Sequence, residues 1–115
     1  MPSNNNQFDK ELFIPYFEQW QQVRDDIEAL YNQKDRQAVE LMKTAIANYS
    51  ELLELGGMAF DDRKGKDVFV LLPLNGEERF EFVQAKISSH YAFVQLDALV
   101  TETRKKVARL AIQKK

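Results

Sequence analysis

Apolar residues return at helical intervals along most of this chain. Between Tyr16 and Tyr31 they fall at Trp20, Val23, Ile27 and Leu30, while Arg24, Asp25 and Glu28 occupy the opposite face. Such spacing gathers the apolar positions into one stripe, so the segment predicts a helix buried on one side. Pro15 suits the first turn of that helix, where the amide hydrogen it lacks has no partner to lose. Asp9 suits the cap of a short opening turn through Leu12 and Phe13. Residues 32–36 are polar and interrupt the pattern. A second helix is predicted from about Lys34 to Leu55, with Val39, Met42, Ile46, Tyr49 and Leu53 at alternating steps of three and four. Ala38, Leu41, Ala45 and Leu52 widen its stripe to bundle proportions. Gly56-Gly57 then stops it, because glycine takes the left-handed backbone of a helix end without a Cβ penalty. So short a connection makes the two helices antiparallel neighbours.

The pattern changes from Met58 to Leu74, which reads as the irregular part of the chain. Asp61 to Asp67 is a charged loop, and Val68 to Leu72 is an apolar run ending at Pro73. That run fits a short strand or an extended segment laid on the helices. Asn75-Gly76 supports two readings. As a tight turn it joins 68–72 to a strand at 79–84 in a hairpin. As a helix start it uses Asn75 as cap and Glu78 as capping-box partner, with Phe80, Val83 and Ile87 on one face and Glu77, Glu78 and Glu81 near the positive end of the dipole. Phe82 fits the strand better. Pro73 tells against a two-residue hairpin, and the helix is the preferred reading. After a break at Ser88-Ser89, a last helix is predicted from about His90 to Ile112. Phe93, Leu96, Val100, Val107 and Leu110 mark its buried side, Thr103 fills the missing step, and Ala92, Leu99 and Ala111 allow close packing.

The elements add up to a mostly α, four-helix-bundle-like single domain over residues 8–115. It contains a short extended segment or hairpin near 67–84, and residues 1–7 form a polar, flexible N-terminal arm. At 115 residues one modest core is expected. Eight Phe, four Tyr and one Trp supply large rings for it. With no cysteine, disulfides, thiolate nucleophiles and cysteine metal sites are excluded, and an intracellular, cytoplasmic protein is the expectation. The polar start lacks a secretory signal, and no apolar run is long enough to span a membrane.

The stretch from Leu71 to Leu110 resembles the C-terminal part of the YpoC-like proteins of Gram-positive bacteria. Pro73, Asn75, Glu78-Arg79, Tyr91 and Gln95-Leu96 carry the resemblance, which covers roughly a third of the chain. It implies a bacterial helical domain without an assigned activity, so it leaves function to the residues themselves.

Charge supplies the one functional hint. Residues 1–57 hold five basic and ten acidic side chains, whereas 58–115 hold eleven and eight. Arg104, Lys105, Lys106, Arg109, Lys114 and Lys115 end the chain with no acidic residue among them. Lys105 and Arg109 are four apart on a helix, positioned to meet phosphates or an acidic protein surface. Cations at a helix C-terminus also simply complement its dipole. The candidate contact residues are therefore Arg104, Lys105, Lys106, Arg109 and Lys114.

Other motifs read as structural. His90 is the only histidine and sits at a helix boundary without a visible catalytic partner. Asp61, Asp62 and Asp67 do not reproduce an EF-hand, and Arg63, Lys64 and Lys66 among them oppose a cation. Glu77, Glu78 and Glu81 belong at a helix start. Gly56-Gly57 and Gly65 form neither phosphate-loop pattern, although Lys64 and Lys66 are within reach of a phosphate ligand. Tyr16, Phe17, Trp20, Tyr91 and Phe93 are more aromatic surface than a small core requires, so a surplus ring is a candidate anchor for a partner or a homodimer. No catalytic, metal or cofactor residues are assigned. The expected function is a non-enzymatic protein-interaction or accessory domain with a protein partner or a second copy of itself. The alternative is a nucleic-acid-associated accessory protein using the basic C-terminal helix.

Overall fold

The computed structural model describes residues 9–113, so the expected arm at 1–7 and Lys114 and Lys115 lie outside the described residues. A single 3₁₀ turn at Lys10–Leu12 leads into helix α1, Ile14–Asn32. The Asp9 side chain accepts the Glu11 amide at 3.0 Å to cap that turn, and Pro15 sits in the first turn of α1.

Helix α2, Gln37–Gly56, starts later than its apolar pattern predicts. The reason lies in how α1 ends. Lys34 takes a left-handed backbone, φ 58°. Its amide returns to the Tyr31 carbonyl, and the Asp35 amide returns to the Leu30 carbonyl. These two bonds make a Schellman closure, which removes Lys34 from α2. Asp35 then caps the new helix by accepting the Gln37 amide at 2.9 Å. Antiparallel packing of α1 and α2 brings Tyr16 to Glu51, a hydroxyl-to-carboxylate hydrogen bond of 3.1 Å. At the far end of α2, Gly57 adopts φ 83°. Gly56 lies so near Leu71 that a Cβ there would come within 2.5 Å of its Cδ1.

A hairpin forms, one element earlier than the Asn-Gly signal suggests. Strand β1, Met58–Asp61, pairs antiparallel with β2, Lys66–Phe69, in the register Met58 with Phe69 and Asp61 with Lys66. The supposed charged loop is therefore the last residue of β1, the turn and the first half of β2. Asp61 organises that turn: Oδ1 accepts the Arg63 and Lys64 amides, and its carbonyl accepts from Gly65 at φ 67°. Residues 79–84 are helical, as preferred, in α3, Gly76–Ala85. The capping box does not form. Asn75 is itself left-handed, φ 56°, and its side chain caps nothing; the Gly76 amide folds back to the Pro73 carbonyl instead.

Helix α4, His90–Gln113, spans the domain and packs against both α1 and α3. The protein is thus a compact, mostly helical domain of four helices with one short β-hairpin. Ile27, Met42, Leu52, Leu53, Leu71, Val83, Leu96 and Leu99 are fully buried at its centre. Thr103 is buried with them at 0 % exposure. Burial of a hydroxyl requires partners. Thr103 donates to the Leu71 carbonyl at 3.1 Å, which leaves its oxygen to accept from the Tyr49 hydroxyl at 2.7 Å.

Candidate functional site

The C-terminal half of α4 faces the segment between β2 and α3, and the two enclose an open groove of about 540 Å³. Side chains of α4 determine the shape of that segment. Lys106 Nζ donates to the carbonyls of Val70 and Leu72, each at 2.9 Å, while Thr103 takes the carbonyl between them. Three consecutive carbonyls outside regular secondary structure are thereby satisfied by one helix, as burial of backbone demands. Burial, with Arg109 alongside, pushes the Lys106 ammonium below the ordinary lysine range.

The groove is apolar at its base, along Val68, Val70, Leu72 and Pro73, and Leu74 stands at its mouth 80 % exposed. Asp61, Glu77 and Glu102 also line it, and each is engaged. Asp61 holds the hairpin turn. Glu77 meets Lys66 at 3.3 Å and Lys64 at 3.7 Å. Arg79 grips Glu102 with both terminal nitrogens, at 2.9 and 2.8 Å, and spends its Nε on Gln95. The hydrogen bonds from Arg79 hold the Glu102 carboxyl below its usual range against the opposing effect of burial. On the α4 wall, Lys105 and Arg109 are exposed and form no hydrogen bond or ion pair among the described residues.

The basic cluster is therefore divided by helix geometry. Lys105 and Arg109 share the groove face. Lys106 turns inward to the backbone. Arg104 projects toward α1, beside a shallow depression lined by Trp20, Gln21, Arg24, Asp97 and Thr101. Lys114 lies outside the described residues.

Two clasps were not evident from sequence. Arg24, expected on a solvated face, pairs with Asp97 through Nε at 3.1 Å and Nη2 at 2.8 Å, and Trp20 Nε1 donates to the same carboxylate at 2.8 Å. Burial alone raises the Asp97 carboxyl, but these donors outweigh it and hold the group below its usual value. The second clasp is Arg79 with Glu102. Each joins residues far apart in sequence, and only Trp20, a buried ring needing a hydrogen-bond acceptor, foreshadowed one of them.

The remaining candidates take structural positions. His90 stacks on Phe93 at 5.7 Å between ring centroids, with Nε2 3.6 Å from Glu28. Phe17, Trp20 and Phe93 are buried and Tyr16 is half-buried, so Tyr91, 72 % exposed, is the surplus ring of that set.

The model of the YpoC-like protein family matches residues 10–115. The chain belongs to the YpoC-like family. That match runs through nearly the whole chain and corrects the resemblance confined to Leu71–Leu110. The matched range also covers the residues that form one core: Phe17, Trp20, Ile27, Met42, Tyr49 and Leu52, all N-terminal to that stretch, pack in one cluster with Leu71, Leu96 and Leu99. Neither the curated proteins nor the solved structures contain a significant match to this YpoC-like chain.

Proposed function

We propose that this YpoC-like domain is a non-catalytic docking module that receives an acidic surface of a partner protein on the α4 wall of the groove. The observation behind the reading is the charge balance there. All three lining carboxylates are engaged, and of the cations lining the groove Lys105 and Arg109 are the two that form no hydrogen bond or ion pair among the described residues. Charges of that kind steer a complementary surface and fix its orientation more than they add raw affinity. Leu74 and the apolar base beside them provide surface whose burial drives association. A second copy of the chain also qualifies as partner, since its first 57 residues carry twice as many acidic as basic side chains. The cysteine-free sequence supports the cytoplasm as the setting, which cell fractionation tests.

Nucleic-acid binding is the competing reading. Two exposed cations on the groove face are few for a phosphate backbone, whose affinity grows with the number of counterions exchanged for lysine and arginine. The deciding experiment places a photo-crosslinking amino acid at position 105 and, as control, at Gln22 on the exposed side of α1. Protein crosslinks from 105 that disappear with Arg109→Glu, together with no saturable binding of a labelled DNA duplex at low salt, are expected. Duplex binding that weakens with salt and with Lys105→Ala plus Arg109→Ala would replace this reading with the nucleic-acid one.

A further inference from the structure

The geometry points to a specific class of occupant: we infer that the groove takes an extended peptide segment of alternating acidic and apolar residues from a partner protein. The inference rests on the docking reading above and deepens it.

Consider first what the groove offers. Its base is not a backbone edge. The carbonyls of Val70, Leu71 and Leu72 are already bonded to Lys106 and Thr103, and the Val70 amide donates to the Gly57 carbonyl at 2.9 Å. Strand addition along this segment therefore lacks main-chain partners, and recognition passes to side chains. The α4 wall presents Lys105 and Arg109 with the clasped Glu102 beside them, while the opposite side presents Val68, Leu72 and Leu74 together with Asp61 and the paired Lys64 and Glu77.

Two unpaired cations one helical turn apart stand about 5–6 Å from each other at the Cβ level. An extended chain places same-side residues i and i+2 roughly 6.5–7 Å apart and sends residue i+1 to the other side. Carboxylates at i and i+2 thus meet Lys105 and Arg109, while the apolar residue between them meets the Val68–Leu72–Leu74 wall. A uniformly acidic strand would leave that apolar wall uncovered. At about 540 Å³ the groove is in the size range of sites that hold compact ligands, enough for a few residues of such a segment. Lys106 has two of its three donor directions fixed on carbonyls, so it holds the receptor in shape rather than meeting the guest.

The test is selection of a phage-displayed random dodecapeptide library on the full-length protein, followed by anisotropy titration of the enriched sequence carrying a fluorescent label. Enrichment of peptides with acidic residues two apart and an apolar residue between them is expected. Lys105→Glu plus Arg109→Glu is expected to weaken the winner at least about tenfold, and Leu74→Ser to weaken it by a smaller factor, with unchanged circular dichroism in both variants. No enrichment over an unrelated control protein, enrichment of basic or purely apolar peptides, or binding that survives the charge reversal would overturn the inference. Failure here with Arg109-dependent protein crosslinks from position 105 would discard the extended segment and leave a folded acidic surface as the partner.

Discussion

The two halves of α4 use charge in opposite ways. In the first half, Asp97 collects Trp20 and Arg24 into one clasp and ties α4 to α1. In the second half, Lys106 serves the backbone of residues 70–72, and its neighbours Lys105 and Arg109 form no hydrogen bond or ion pair among the described residues, Lys105 acting only through its field on Glu102. One helix thus carries charges tied into the fold and charges left exposed, which the proposed function assigns to another molecule. Which is which depends on the direction each side chain faces, and not on its type or its place in the basic run.

The largest expected effect lies in the packed first half. Trp20→Ala removes a buried ring and the donor to Asp97, and is expected to cost about 3–5 kcal/mol of stability, read as a lower urea midpoint. Thr103→Val acts at the junction of the two halves. It leaves the Tyr49 hydroxyl and the Leu71 carbonyl without their partner, at an expected cost of about 1–3 kcal/mol, and faster amide exchange should appear in residues 70–74.

Acid and base sharpen the contrast. Asp97 and Glu102 titrate lower in the folded protein than their unbound values of 3.8 and 4.5. Their stabilisation is present above those values and is lost as pH falls through them toward the folded ones, so thermal stability should decline below about pH 4.5. Asp97→Asn should flatten that decline. Burial pushes the Tyr49 hydroxyl up to about 12 from 10.0, so the folded state retains a proton that the unfolded chain gives up. Its contribution is therefore lost as pH climbs from 10.0 toward about 12. Lys106 acts the other way. Its folded value is depressed, so its charging cost is relieved as pH rises toward 10.5. Thermal denaturation across alkaline pH, in wild type and Tyr49→Phe, separates the two.

The smallest expected effect concerns the second half. Lys105→Ala plus Arg109→Ala should shift stability by no more than about 0.5 kcal/mol, while Arg109→Glu abolishes protein crosslinks from position 105. A large loss of stability from that pair would mean that these cations hold the fold after all.

The helices were legible because their cores repeat at helical spacing. Trp20, Ile27, Met42, Tyr49, Leu53, Phe93, Leu96 and Val107 were all expected inside, and all are buried. Even Thr103 was legible, as the polar residue in a buried series. The hairpin was not. Met58–Asp61 and Lys66–Phe69 are four residues each, largely exposed and partly charged, with too little alternation to mark a strand. Asn75-Gly76 carried a stronger turn signal, but Pro73 and the closure of Gly76 onto the Pro73 carbonyl turned it into a helix entry. At the site, the basic run was visible as a whole, whereas its division was not. Nothing in the order Arg104, Lys105, Lys106 tells which side chain meets a carbonyl of a segment more than thirty residues away.

The most direct test of that division is one substitution made at two adjacent positions. Urea denaturation of Lys106→Met and Lys105→Met should give a midpoint lowered by the equivalent of about 1–3 kcal/mol for the first and an unchanged one for the second. Equal midpoints, or a larger loss at Lys105, would contradict the assignment of Lys106 to the fold and of Lys105 to a partner.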